Sequence, residues 1–473
     1  MKTLTSWVAF CDKASATRKN RRFSRLPVTA LVGVALAGCN SLPVSTSKPV
    51  QTTNSAQLYL AAGVGNLETY EIDHTAKDFV ATSYGAGGGT IQASGSLSQL
   101  SNGILDLDIT YLPGQTISSP PLTGNWVVEI PGQAALMELE TTSSVGTNTS
   151  FAPLAPTQSC PSVKAAEVFQ FVTIPKRLST QSTVVANGWN PELETAFGSV
   201  KIATSGSTVQ FSSISQYTLP AANGGTAGHP INPASASVTS SCSPTFYGQT
   251  MSVPNAVTVI NPGPGAQSIP ASATIGIGPS GFLSEDAGSP QGPSDPTIPP
   301  YENVLGAGYG AIGMMEPSAQ IAASTLASAH YQGILYGAAS GSSADVGSPG
   351  FRLMGSFGYS NLQASCPKLP GPSKPSVLYG GEFRNNDPSA HASGNCDLAI
   401  DLGSPGTSNG LFPAATVYVS KTFPGNGTTD AYSFPAVAIA GQIAGKYAIF
   451  LIGADTTGSP QQAWGIYLLQ SGK

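Results

Sequence analysis

The densest set of ionisable side chains is Glu382, Arg384, Asp387, His391, Asp397 and Asp401, six groups within twenty residues of a chain in which only 10% of residues are charged. Oxygen ligands at this density suit Ca²⁺, which takes about six to eight of them, although the spacing is not that of an EF-hand loop. A carboxylate beside His391 would equally suit general acid–base transfer. The plainer reading is a solvated loop stapled by Cys366 and Cys396. A second acid pair, Asp106 and Asp108, shares one strand face and has the residue types of paired glycosidase carboxylates. Adjacent same-face acids are more commonly the wet side of a sheet. His74, His229, His330 and His391 stand far apart, and no two have the spacing that puts two metal ligands on one strand face or helix turn.

Two glycine motifs fail their chemical reading. Gly308, Gly310 and Gly313 match the dinucleotide fingerprint, which needs a helix opening onto the pyrophosphate and an acid about twenty residues on. Pro317 interrupts any such helix, and the next acid after Glu316 is Asp345. A Gly-rich strand packed closely on its neighbours is expected instead. Gly406-Thr407-Ser408-Asn409-Gly410 fits the nucleophile-elbow pattern, which requires a helix after the serine and a histidine later in the chain. Here a strand-like run follows and no histidine lies beyond His391, so a surface turn is expected.

The elements that must position these groups are strands. Leu105, Leu107, Ile109 and Tyr111 alternate with Asp106, Asp108 and Thr110, the period of a strand with one wet face. Trp126, Val128 and Ile130 alternate with Val127 and Glu129. Residues 198–214 read as a hairpin around a Ser-Gly turn. Tyr447, Ile449 and Leu451, then Trp464, Ile466 and Leu468, repeat the pattern near the C-terminus. The one helical candidate is 317–330. These signals predict an all-β protein, an antiparallel sandwich and/or barrel, in two β domains at 57–278 and 301–473 joined by a Pro/Gly-rich linker or long loop at 279–300. The alternative is a propeller, with 57–85 as one blade, but no further copies recur at the required period.

The first forty residues carry an address. Seven basic residues and a single acid precede the apolar run 26–37, which ends in Leu36-Ala37-Gly38-Cys39. A basic region, a short apolar run and small residues before a cut describe an export signal, and the run is too short to span a membrane. The tetrapeptide resembles a bacterial lipobox. The resemblance implies cleavage after residue 38, lipidation of Cys39, and a membrane anchor on the periplasmic or cell-surface side of a bacterial envelope. Residues 39–56 then read as a flexible tether. Four cysteines remain, Cys160, Cys242, Cys366 and Cys396, and an even number in an exported chain predicts two disulfides with three pairings open. Sequential pairing closes the shortest loops, and each bridge would stabilise by roughly 3–4 kcal/mol.

Composition narrows the function. Cleavage leaves 13 basic residues against 24 acidic, or −11 over 435 residues. A nucleic-acid partner, which needs clustered Lys and Arg, is excluded, and membrane contact is expected through the lipid alone. A neutral surface rich in hydroxyls and amides suits a protein or glycan partner, although only Trp126, Trp189 and Trp464 remain for stacking on sugars. The expectation is an anchored all-β envelope protein with a structural or binding role, no catalysis, and no cofactor beyond Ca²⁺ at the 382–401 cluster. The alternative is an exported hydrolase or lyase using that cluster. A barrel closed by 447–469 around an apolar ligand is a third reading, and an interior cavity would mark it.

Overall fold

The computed structural model describes residues 55–62, 67–84, 90–100, 103–111, 126–143, 146–161, 167–174, 176–177, 193–194, 196–219, 230–232, 238–245, 248–259, 268–288, 309–339, 351–358, 376–382, 398–419, 432–455 and 462–471. Strands dominate them throughout. The first eight are β1 (Gln57–Ala62), β2 (Leu67–Asp73), β3 (Asp78–Tyr84), β4 (Thr90–Gln99), β5 (Leu105–Tyr111), β6 (Trp126–Ile130), β7 (Ala134–Ser143) and β8 (Gly146–Pro156). Each pairs antiparallel with the next, and β8 returns to β1 to close a ring. The residues that the alternative reading made a propeller blade are thus the first strands of a barrel.

A middle sheet follows. Its strands are β9 (Glu167–Thr173), β12 (Ala196–Ser205), β13 (Thr208–Thr218), β14 (Pro230–Asn232), β15 (Val238–Thr245), β16 (Gly248–Val259), β17 (Ser268–Ile277), β18 (Phe282–Gly288) and β19 (Tyr309–Met315), with a separate two-stranded pair of β10 (Lys176–Arg177) and β11 (Leu193–Glu194). The order is β12-β9-β19-β18-β17-β16-β15-β13-β14, and β12 also pairs β13, so the path of strands meets itself. The expected 198–214 hairpin is β12 and β13, turning at Gly206 and Ser207. The expected break at 279–300 begins inside this sheet. Residues 278–281 turn between two neighbouring strands, and β18 is paired on both sides. Pro279 and Gly281 therefore lie in a turn within one sheet, and the remainder, 289–300, lies outside the described residues. Strand pairing groups the chain into three units where the sequence reading counts two.

The last unit is a second closed barrel: β20 (Tyr331–Ala339), β21 (Phe351–Gly358), β22 (Val377–Glu382), β23 (Leu398–Asp401), β24 (Leu411–Val419), β25 (Tyr432–Ile443), β26 (Lys446–Asp455) and β27 (Gln462–Gln470). The β25–β26 hairpin turns through Ala444 and Gly445, both at positive φ, the geometry whose twist matches two antiparallel strands. The helix expected at 317–330 shrinks to α1 (Ala323–Ala327), five residues with no side-chain N-cap. Its Ser and Thr content gives a longer helix little support. Leu326 and Ala327 of α1 sit in the second barrel's core.

Packing joins the three units. In β26, Ile449 and Leu451 point into the second barrel, whereas Ala448, Phe450 and Ile452 point outward into a core shared by both barrels and the sheet. Tyr467 marks the junction: its ring stacks on Phe151 of the first barrel at 4.5 Å, and its hydroxyl donates to the Thr173 carbonyl of the middle sheet at 3.3 Å. Phe282 meets Phe450 edge-on at 5.9 Å. The alternation read at Trp126–Ile130 is real, but neither face is wet. Val127 enters the first barrel, and Trp126, Val128 and Ile130 enter the shared core.

Candidate functional site

The first barrel places ionisable groups where an eight-stranded ring usually holds only apolar side chains. Along β2, Glu68, Tyr70 and Ile72 share one face at period two, and Tyr70 and Ile72 belong to the barrel interior. Glu68 is buried, and the Tyr70 hydroxyl donates to its Oε2 at 2.8 Å. Burial, with the Glu68 charge beside it, holds the Tyr70 hydroxyl well above the usual phenol range.

At the end of this barrel formed by the β2–β3 and β6–β7 turns, Glu129 projects inward from β6. His74 Nε2 lies 2.9 Å from Glu129 Oε1, and the Glu129 side chain is 6% exposed against 37% for His74. The Tyr59 hydroxyl donates to Glu129 Oε2 at 3.5 Å and accepts from the Gly132 amide at 2.8 Å. The hydrogen bond to Glu129 raises the His74 pKa above its ordinary value. Burial does the same, more strongly, for Tyr59. Asp73 caps the β2–β3 turn by accepting from the amides of Thr75 and Ala76 and from the Ser55 hydroxyl. Those contacts, the Ala76 amide first, hold its carboxyl below the usual range.

Asp106 and Asp108 stand on the outer wall of the same barrel, half-buried, while Leu105, Leu107 and Ile109 fill the inside as the alternation predicts. Asp106 is flanked in register by Ser98 and Trp126. Among the described residues Oδ1 of each acid is buried without a hydrogen-bond partner. Burial, and then the neighbouring Asp108 charge, push Asp106 up to about 6, and burial raises Asp108 as well. The face read as wet is half dry. Both acids project side by side from a convex wall, so they lack the opposed arrangement that glycoside hydrolysis places on either side of a scissile bond.

The sequence-predicted cluster is only partly visible. Glu382 ends β22, but its side chain lies outside the described residues, as do Arg384, Asp387, His391 and Asp397. Asp401 is placed and it stands apart from that loop. The four-residue strand β23 carries it to the other end of the barrel, about 10 Å from Leu398 at the usual strand rise. There it is buried, accepting from the Ser376 hydroxyl at 3.1 Å and the Gly403 amide at 3.0 Å. Among the described residues no group of three or more His, Cys, Asp or Glu is placed to hold a metal.

Cys160 and Cys242 form a disulfide across 82 residues. Cys242 is buried in the core of the middle sheet, so the bridge ties the segment after β8 into that sheet. Cys39, Cys366 and Cys396 lie outside the described residues. Both glycine motifs are structural. Gly313 lies in β19, where a Cβ would stand 2.5 Å from the Gln170 carbonyl. Gly410, at φ +77°, ends a turn before β24, and a Cβ there would run into the Ala440 carbonyl. In the second barrel, which a third reading gave to an apolar ligand, the described core side chains include Tyr331, Phe412, Phe434 and Trp464.

No family model and no curated protein matches the chain. Solved structures similar to it include two of transferrin binding protein B, both at low TM-score. One is the vaccine antigen transferrin binding protein B, a Trp-to-Ala mutant from Haemophilus parasuis Hp5, at TM-score 0.27 and 7% identity. The other is intact Ap-TbpB with its N and C lobes, at TM-score 0.23 and 9% identity. The match covers 86% of this chain and 66% of each of those, so this chain spans slightly less than two thirds of their length. At such TM-scores the likeness carries no argument about site or partner.

Proposed function

We propose that the chain is a lipid-anchored, extracytoplasmic binding protein of a bacterial envelope, held through Cys39 and without catalytic chemistry of its own. The observation that carries this reading is the Cys160–Cys242 bridge, seated in the buried core of the middle sheet. Disulfides persist in oxidising compartments and are rare in the cytosol. The leader, with its lipobox-like Leu36-Ala37-Gly38-Cys39, agrees. The partner is a protein or a neutral glycan, met by a surface low in charge, with the acid-bearing first barrel as the part that departs most from inert scaffold. Ca²⁺ at the 382–401 cluster, from which Asp401 stands apart, belongs to the same proposal.

The test is fractionation of cells making the full chain and its Cys39→Ala variant, with a labelled fatty acid supplied. The native chain is expected in the membrane fraction carrying label, and the variant in the soluble fraction without it. An unlabelled chain, or a variant that stays with the membrane, overturns the anchor.

A further inference from the structure

The His74–Glu129 contact reaches beyond the barrel that contains it. Glu129 is a buried carboxylate whose described partners are the His74 imidazole and the Tyr59 hydroxyl. Tyr59 in turn receives the Gly132 amide and so fixes the β6–β7 turn. The same turn is one of the first barrel's contacts with the middle sheet, beside the shared core. The Ser280 hydroxyl, in the β17–β18 turn, donates to Gln133 Oε1, and the Gln133 carbonyl lies against Gly278 so closely that a Cβ there would come within 2.6 Å. One imidazole therefore stands at the head of a continuous set of contacts that ends in another structural unit.

We propose that protonated His74 is a latch that holds the β6–β7 turn and seats the first barrel on the middle sheet, and that this joint loosens as pH rises. The charged groups acting on it are Glu129 from β6 and Asp73 from its own turn region, and Tyr59 from β1 meets the other oxygen of Glu129. Asp73 adds to the attraction for a proton on His74, after the Glu129 hydrogen bond and charge. Breaking one side of a buried ion pair leaves the other charge uncompensated, so a neutral His74 leaves Glu129 costly to keep dry. The sign follows from the direction of the shift. His74 titrates higher in the folded chain than in the unfolded one, so its contribution is fully present below its ordinary value and lost as pH rises through its folded value.

Native-state hydrogen exchange on the full chain tests the latch at the Gly132 amide. After correction for intrinsic exchange, its protection is expected to fall about threefold from pH 5.5 to pH 8.5, the scale of a partly exposed ion pair. In His74→Gln the protection should sit at the lower level and vary little with pH. Glu129→Gln, which removes the charge while keeping a hydrogen-bonding side chain, should flatten the profile in the same way. A fall of equal size in either variant, or none in the native chain, overturns the proposal.

Discussion

The two closed barrels share eight strands, antiparallel neighbours and a seam joining last strand to first, yet they differ in what they admit beside their apolar side chains. The second encloses large apolar side chains, with Trp464, Phe412 and Tyr331 almost wholly buried, and α1 adds Leu326 and Ala327 to its core. Its seam, β20 with β27, runs for nine residue pairs. The first also encloses apolar side chains, Ile72, Phe79, Leu107 and Met137 among them, but admits Glu68 and Glu129 beside Tyr70 and Tyr59. Its seam, β1 with β8, shows three pairs. A buried carboxylate destabilises a fold unless it is partnered, so a ring that keeps two of them depends on the tyrosine and histidine contacts that partner them. The second barrel is scaffold by this reading, and the first is where acidic side chains enter the barrel interior.

The contrast breaks most readily at Trp464. Replacing it with Ala should remove about 3–5 kcal/mol of unfolding free energy, the range for a large aromatic lost from a packed interior. Urea denaturation measures it, and a loss under 1 kcal/mol would mean that the second barrel is not the rigid partner described here. A smaller effect of opposite sign is expected on the first barrel's outer wall. Asp106 holds its proton up to about 6 because burial disfavours its charge. A carboxyl with a raised folded pKa binds its proton more tightly when folded, so its ionisation lowers stability as pH climbs from about 4 to above 6. Asp106→Asn should therefore stabilise by about 1 kcal/mol at pH 7.5, a figure discounted for the group's partial exposure, and by nearly nothing at pH 4. Equal effects at both pH values would remove desolvation as the cause. The His74 latch, worth about threefold in local protection, is the finest probe of the same contrast.

Strand identity was legible in the sequence because period two survives in each clear case: 105–111, 126–130, 447–451 and 464–468 all fall in strands. What each face meets was not legible. Leu105 and Trp126 alternate with their neighbours in the same manner, yet Asp106 faces half-dry outer wall and Val128 faces the core shared by three units. Alternation states that two faces differ, and only assembly decides whether the second is wet. The buried acids could have been seen in part. Glu68 sits at period two with Tyr70 and Ile72, a carboxylate on an otherwise apolar face, whereas the pairing of Glu129 with His74 crosses strands that are 55 positions apart and leaves no local signal. Asp401 shows the converse: proximity in sequence grouped it with His391, and a four-residue strand moved it to the opposite end of the barrel. At the start of the 279–300 stretch, Pro279 and Gly281 mark a turn inside one sheet, a use that Pro and Gly serve as readily as a break between two.

The central claim is that this chain folds and works outside the cytosol. Non-reducing peptide mapping of the protein isolated from its own cells, with thiols blocked at lysis, tests it most directly. The account predicts a peptide pair joined through Cys160 and Cys242, with neither cysteine alkylated. Recovery of both as blocked free thiols would contradict it.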